Sequence, residues 1–571
     1  MSSLFDQIQH LYDQALYSNV ISLANLVLSL SDHNNDLLQS STKFLVYVYC
    51  ADSYFYLGNY KRAESLYKKS LQFRKCLLKT KNNIKPNQEG QKELADVDIK
   101  YQIYLCLVKM KNPQEALQVL QGVPAKQRTP KINMALAKMF QEQGMERSAI
   151  ATYKEVLREC PLALEAAEGL LSLGVKGIEV NSIIMSCNLN LQNFDWLNAW
   201  IKAHAHINCK EYSQAVTTLR SLDNVNCLRD NHNLLVTMGE CYYLSGDYKN
   251  SLLCLRRARL IEPDSTKGLD IYAANLHQAH HVAELEKLIS FISSSNECSS
   301  ETYTAMAYAL LALHKLNRAN TIANQAIRMS PDNVEAYILR GNILIEQKKF
   351  QDALHHFRQA LQLKPHRYEA HKGLVDCFIG MHRLREACNV ALATYKQLGS
   401  PRALTLYASV LMKDPVNLGK AKIFLEKVLA QDDTYLPAVY HLAEIYEQEM
   451  NLEAAIELLT KQTETQPTCK LHQMLGDLWA RMHNAEKALD HYAIALNINP
   501  SDRRVLEGMH RLESTSNTME SSSYYMAVGE EPTDNTYEVG EGLPDTDNDE
   551  AADESETEVV WSDMDLEANS Q

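Results

Sequence analysis

The sequence predicts an all-α solenoid assembled from repeated pairs of helices. Its 571 residues exceed the usual length of a single compact domain, which leaves either several domains or a repeat array. Only 20 Gly and 15 Pro are present, too few for a turn-rich β protein. Four prolines are separated by multiples of 34 residues, namely Pro263, Pro331, Pro365 and Pro467. A fixed period within a long chain indicates a repeat architecture.

Small residues recur with the same period. Alanines stand at one fixed place in five consecutive units, namely Ala319, Ala353, Ala387, Ala421 and Ala455. A small side chain at a fixed place indicates that the two helices of a unit cross closely there. With the prolines, this spacing matches the tetratricopeptide signature, so we expect a tetratricopeptide-repeat superhelical solenoid of about fourteen units. The first helices of such units line a concave groove.

The repeat pattern divides the chain into five regions. Residues 1–78 are predicted to be N-terminal repeat helices, and residues 99–227 continue this array. Residues 79–98 are polar and include one Pro and one Gly, which predicts a flexible loop. Residues 228–514 form the regular C-terminal array, and residues 515–571 form a separate tail.

The negative charge of the chain is concentrated in that tail. The net charge is −14, yet residues 515–571 contain 17 Asp or Glu and no Lys or Arg, so the repeats are close to neutral. A strongly acidic segment with few aliphatic residues is predicted to be disordered. The repeats lack the basic stripe that nucleic-acid binding requires, so no nucleic-acid partner is expected.

Cysteine usage and hydropathy predict a soluble protein of the nucleus and cytoplasm. The 13 Cys are scattered, with no Cys-x-x-Cys pair, as free thiols in a reducing compartment would be. The first residues lack the basic and apolar regions of a secretory signal. The longest apolar run, residues 44–51, is far shorter than a membrane span. No membrane partner is therefore expected.

No motif for catalysis, cofactor binding or metal binding is found. The sequence lacks the glycine-rich phosphate loops, the nucleophile elbow and the His-Glu-x-x-His motif. His277 and His281 are four residues apart and could share a metal on one helix face, but no third ligand accompanies them, which favours a solvated surface. We expect no catalytic residue, no cofactor, no metal and no small-molecule substrate.

Three residues are candidates for peptide contacts in the groove. Tyr308, Asn342 and Asp376 stand one repeat period apart, at equivalent places on the first helices of consecutive units. The alternative is that they are solvated surface residues.

Three further residues are candidate phosphorylation sites. Thr129 precedes Pro130 and resembles a proline-directed kinase site, although it is also well placed to cap a helix. Ser555 and Ser562 each have an acidic residue three positions later, as acidophilic kinases prefer, or they belong to a plain solvating acidic stretch.

Several segments are more specific than the general repeat pattern. They are residues 128–134, 153–164, 169–177, 200–203, 228–231 and 506–509. Together they resemble the subunit 7 family of the anaphase-promoting complex (cyclosome), a family of tetratricopeptide-repeat subunits. The acidic tail with Trp561 is also similar, so the resemblance covers essentially the whole chain.

The resemblance implies a non-catalytic scaffold in a nuclear ubiquitin ligase that drives exit from mitosis. It implies a homodimer, with the N-terminal repeats of residues 1–78 as the dimerisation region. It also implies stacking on other tetratricopeptide subunits, the Cdc27-like subunit first. It also suggests coactivators as partners, because related subunits bind Ile-Arg tails in their grooves.

Two other function classes are the alternatives. A co-chaperone adaptor that binds C-terminal peptides needs a clamp of Lys, Arg and Asn in the groove. Asn342 fits one place, but Ile338 stands where a Lys is needed and Gly373 where an Asn is needed. An enzyme that uses the repeats for docking would need a second folded region, and only the acidic tail follows the repeats.

Overall fold

The described part of the chain is helical throughout. The structure is a computed structural model that describes residues 4–33, 38, 40–80, 96–186, 195–224, 228–295, 299–500 and 502–512. Within these ranges the regular structure consists of α-helices and two short 3₁₀ helices, with no β-strand. No helix in the same ranges is both long and apolar enough to span a membrane. The predicted all-α class is confirmed.

The helices follow one another along the chain in pairs, with odd-numbered helices first in each pair. The first seven pairs are α1 Leu4–Asp13, α2 Tyr17–His33, α3 Ser40–Tyr56, α4 Tyr60–Thr80, α5 Asp96–Lys109, α6 Pro113–Gln121, α7 Pro130–Glu142, α8 Glu146–Glu159, α9 Leu164–Ser172, α10 Gly177–Ser186, α11 Asp195–Asn208, α12 Tyr212–Asp223, α13 His232–Ser245 and α14 Tyr248–Ile261. A 3₁₀ helix, Ala125–Gln127, precedes α7.

The remaining pairs have the more regular spacing. They are α15 Leu269–Gln278, α16 Val282–Ser295, α17 Ser300–Ala312, α18 Leu316–Met329, α19 Val334–Glu346, α20 Phe350–Leu363, α21 Tyr368–Gly380, α22 Leu384–Leu398, α23 Pro401–Leu411, α24 Leu418–Gln431, α25 Leu436–Gln448, α26 Leu452–Thr465, α27 Cys469–Arg481 and α28 Ala485–Ile498. A second 3₁₀ helix, Pro415–Asn417, precedes α24, and residues 503–512 form a further helix, α29.

Capping residues mark where many first helices begin. In five of them a side-chain oxygen accepts a hydrogen bond from the backbone N–H three residues later, which satisfies one of the free donors at a helix start. These capping residues are Asn231, Ser299, Asn333, Ser400 and Thr468.

The periodic small residues are buried in the helix array. All five of the recurrent alanines, Ala319 to Ala455, are fully buried on second helices. Within α19, Gly341 meets the ring of Phe357 from α20, and an added Cβ would lie 2.5 Å from the ring's Cζ. A larger residue at these places would push the helices apart, because protein cores are close-packed.

The chain divides into two compact units, residues 1–445 and 446–571. In the first unit one apolar core runs from Phe44 to Ile201, and the next runs from Ala203 to Ala258. In the second unit Tyr492 is buried with Ala488, Ala495 and Val505.

The observed elements refine some of the predicted regions. The range 79–98 was predicted as a loop throughout, and this is wrong at both ends, because α4 continues to Thr80 and α5 begins at Asp96. Asp96 and Asp98 lie in the first turn of α5, where carboxylates favour a helix start. Residues 81–95 and the tail 515–571 lie outside the described residues. The predicted boundary between residues 227 and 228 does not separate two cores, because helices on both sides of it share one apolar core.

Candidate protein-binding groove

A groove in the first unit is lined by the first helices of consecutive pairs. Seven helices, α13 to α25 by odd numbers, contribute side chains to a cavity of about 520 Å³. Tyr308 from α17, Asn342 from α19 and Asp376 from α21 all line it. The repeat period therefore places these three predicted residues on one surface. Their contact with a peptide stays a prediction.

The three residues differ in how open they are. Tyr308 is only 3% exposed, and its hydroxyl donates to Oε2 of Glu335 at 3.4 Å, so it belongs to the wall of the groove rather than to a solvated surface. Asn342 and Asp376 are half-buried. Burial raises the pKa of Asp376, and the nearby Lys372 offsets part of that effect.

The sequence did not predict a network of charged residues that reaches the groove wall, where Glu369 and Arg402 line the cavity. Glu335, Arg367, Glu369 and Arg402 are all buried or nearly so, at the starts of α19, α21 and α23. Charged residues are almost never buried unless they are paired. One signal was present in the sequence, because Glu335 and Glu369 are one repeat period apart, but an acidic residue early in a helix is ordinarily read as a favourable helix start.

These four residues form a chain of alternating charges. Arg367 pairs with Glu335, and its Nε lies 3.5 Å from Oε2 of Glu369. Nη2 of Arg402 lies 3.2 Å from Oε1 of the same Glu369. Burial opposes ionisation of Glu369, but the two guanidinium groups outweigh burial and hold its pKa below the usual value. The charges therefore neutralise one another within the protein.

Aromatic rings surround the two arginines. The guanidinium carbon of Arg367 lies 4.9 Å from the ring centroid of Tyr243, and that of Arg402 lies 4.1 Å from the ring of Tyr368. Such cation–π contacts are strongest where water is excluded. Paired charges, tyrosine hydroxyls and apolar side chains give the groove the chemistry of a recognition surface.

The described residues contain no group of three or more His, Cys, Asp or Glu side chains that could hold a metal ion. His277 lies on α15 and lines the groove, with its ring 5.7 Å from that of Tyr308. His281 lies beyond the end of α15, so the two histidines do not share a helix face as the sequence suggested. Burial lowers the pKa of His277.

Of the candidate phosphorylation sites, only Thr129 lies among the described residues. It is exposed and occupies the capping position before α7, with Pro130 at the first helical position as predicted. Its side chain makes no capping hydrogen bond. Ser555 and Ser562 lie outside the described residues.

Two family models confirm the repeat type within the groove region. Both are described as tetratricopeptide repeat, and they match residues 304–368 and 344–410.

Full-length relatives decide the family. Proteins named anaphase-promoting complex subunit 7 from Mus musculus and Homo sapiens are 36% identical over 519 residues, which is 90% of this chain and 92% of theirs. The chain belongs to the anaphase-promoting complex subunit 7 family. A member of this family from Arabidopsis thaliana is 25% identical and covers 89% of this chain and 93% of its own. The family resemblance read from the sequence is confirmed.

A solved structure supports the architecture that this subunit 7 family member adopts. A chain in the crystal structure of the APC/C hetero-tetramer Cut9-Hcn1 superposes with a TM-score of 0.53, at 16% identity, and covers 90% of this chain and 96% of that one. At this identity the likeness concerns the fold alone.

Proposed function

We propose that this chain is a non-catalytic scaffold and adaptor subunit of the anaphase-promoting complex, a ubiquitin ligase. It supports assembly of the complex and thereby the cell-cycle-dependent ubiquitination of mitotic regulators, in the nucleus and cytoplasm. The observation that carries the proposal is 36% identity to subunit 7 proteins over 90% of the chain. A stack of helix pairs suits this role because it presents long surfaces to partners.

The proposed partners are other tetratricopeptide-repeat subunits, the Cdc27-like subunit first, with coactivators as further partners. Exposed apolar side chains on second helices provide surface for such contacts. On α14, Leu253 and Leu260 are seven residues apart, so they share one helix face, and Leu260 is 83% exposed. Interfaces in stable complexes bury apolar side chains of this kind at their centres.

A homodimer through the N-terminal repeats is the second part of the proposal. On α2, Leu26 and Leu30 are one turn apart and are 65% and 55% exposed. Leu16, Tyr56 and Leu57 are also exposed, near the ends of α2 and α3. Exposed apolar residues concentrated at one end of the array support a contact between two copies there.

Capture of the tagged full-length chain from mitotic cells, with partners identified by mass spectrometry, tests the assembly role. We expect the cullin and the Cdc27-like subunit in the wild-type capture. The double variant Leu253→Glu/Leu260→Glu is expected to recover less of the tetratricopeptide partners. Recovery of none of these subunits by the wild-type chain would rule out the proposal.

Sedimentation of the purified full-length chain tests the homodimer. The double variant Leu26→Glu/Leu30→Glu is expected to sediment as a monomer, because two carboxylates would be buried in the contact. The variant Leu253→Glu/Leu260→Glu adds the same charge elsewhere and is expected to remain a dimer. A wild-type chain that is monomeric at micromolar concentration would contradict this part of the proposal.

The groove argues against the co-chaperone alternative. Ile338 and Gly373 line the groove at two of the places that a carboxylate clamp needs for polar side chains. A Cβ at Gly373 would lie 2.3 Å from Cε1 of Phe357, so an asparagine cannot occupy that place without repacking. Calorimetry with a chaperone C-terminal peptide is expected to detect no binding, and micromolar binding would revive the alternative.

A further inference from the structure

The side chain of Arg402 joins two parts of the first unit that are far apart in sequence. Arg402 lies in the first turn of α23, and its Nη1 donates to the carbonyl of Leu244 at 3.5 Å, across 158 positions. Its Nη2 donates to the hydroxyl of Tyr248. Leu244 and Tyr248 flank the turn between α13 and α14. The contact therefore joins the first and the last of six successive helix pairs.

The guanidinium group of Arg402 occupies a complete binding cage. It lies over the ring of Tyr368 at 4.1 Å and the ring of Tyr248 at 5.1 Å, measured to the ring centroids. Oε1 of Glu369 accepts from its Nη2 at 3.2 Å, and the Arg402 side chain is only 10% exposed. Two aromatic faces and a carboxylate are the groups that recognise a planar guanidinium, and charge-assisted bonds shielded from water are the strong ones.

The turn that receives Arg402 has a glycine where later turns do not. Equivalent turns, one repeat period apart, have a positive φ at Gly246, His280, His314, Lys348 and His382. At Gly246 an added Cβ would lie 2.5 Å from Cδ of Arg402. The absence of a side chain at Gly246 thus leaves the space through which Arg402 reaches its cage.

We propose that Arg402 is an intramolecular clasp, whose guanidinium occupies a site formed by Tyr248, Tyr368 and Glu369. Because a solenoid repeat normally contacts only its neighbours, a helical array can open and close along its axis. A contact between the α13–α14 turn and α23 resists that motion. The clasp therefore sets the width of the groove between these elements, and its release opens the groove.

Hydrogen exchange of the full-length chain, followed by mass spectrometry, tests the clasp. In Arg402→Ala the amides of residues 244–248 are expected to exchange about tenfold faster, as loss of roughly 1.4 kcal/mol of local stability would give. Methylguanidinium at millimolar concentration is expected to restore protection in this variant, because it can enter the vacated cage. The control Arg383→Ala removes an exposed arginine and is expected to change neither measurement.

A second pair of variants tests the clasp without changing Arg402 itself. The result therefore does not depend on whether Arg402→Ala folds. Gly246→Ala is expected to displace Arg402 and to increase exchange at residues 400–404. Gly144→Ala adds the same methyl group at a positive-φ turn with open space around it, so it is expected to leave those residues unchanged. Wild-type exchange rates in Gly246→Ala, or no response of Arg402→Ala to methylguanidinium, would overturn the proposal.

Discussion

Phe357 packs against Gly341 so closely that a Cβ on the glycine would lie 2.5 Å from the ring. The same ring touches Gly373 on its other side, where the corresponding distance is 2.3 Å. One aromatic residue on α20 thus fills the space between α19 and α21, and two glycines allow both first helices to approach it. The absence of side chains at these two glycines allows the helices on both sides of the ring to approach it closely.

Gly341→Ala is expected to destabilise the first unit by about 1–3 kcal/mol, because overpacking displaces side chains and backbone. The urea unfolding midpoint and hydrogen exchange of α19 and α20 measure the effect. Gly419→Ala is the control, since Gly419 is exposed on α24 with no atom within 4 Å of the added Cβ. That change is expected to be neutral, or stabilising by up to about 1 kcal/mol. Equal destabilisation by both variants would contradict this account.

Tyr492→Phe is expected to destabilise its pair of helices more than Tyr153→Phe does. The two tyrosines occupy equivalent places on second helices, but Tyr492 donates to Oδ1 of Asp477 at 2.6 Å, whereas Tyr153 donates to Oε1 of Gln141 at 2.8 Å. A hydrogen bond to a charged group contributes about 1.5–3 kcal/mol, and one between neutral groups about 0.5–1.5 kcal/mol. Local hydrogen exchange of the two pairs gives the comparison, and a reversed order would refute it.

Asp52→Ala is expected to destabilise the N-terminal repeats by about 1–3 kcal/mol, because it removes the acceptor of two tyrosine hydroxyls. Tyr12 donates to Oδ2 of Asp52 at 3.2 Å, and the fully buried Tyr67 donates to Oδ1. Asp52→Asn keeps one oxygen acceptor and is expected to lose less. Thermal unfolding of the two variants measures the difference in stability between them. Equal stability would show that the tyrosine hydroxyls find other partners and would contradict the prediction.

The stability of the first unit is expected to depend on the ionisation of Glu240 on α13. Burial, followed by the charge of Asp270, raises the pKa of Glu240 to about 7, although Lys364 and Arg367 act in the opposite direction. The ordinary value is 4.5, so between pH 4.5 and 7 the folded state binds the proton more tightly than the unfolded state does. The contribution of Glu240 to stability is therefore lost as pH rises through this range.

Glu240→Gln removes that dependence, since glutamine stays neutral. The variant is expected to melt several degrees above the parent at pH 8 and close to it at pH 4, as followed by circular dichroism. Glu155→Gln, a change at an exposed position on α8, is the control and is expected to alter neither melting temperature. A pH-independent difference between Glu240→Gln and the parent would exclude the assigned ionisation.

Much of the site followed from the period alone. Tyr308, Asn342 and Asp376 line one cavity because residues one period apart occupy the same place in successive helix pairs. The sequence did not predict that Tyr308 is buried, since the core around it contains residues from several other helix pairs. The buried arginines were not predicted for a related reason: Arg367 pairs with Glu335 and Arg402 with Glu369, each on another helix. A single charged residue in a sequence is ordinarily a surface residue.

The sequence by itself determined the repeat type, the all-α class and the family. Each of these depends on local spacing or on matching segments, such as the periodic alanines and residues 128–134, which can be read without knowing how the pairs are stacked. Only the tertiary structure decided that Arg402 meets Leu244 and Tyr248. That contact depends on the small rotation between neighbouring pairs, summed over the five steps between six pairs. No local pattern in the sequence specifies such a sum.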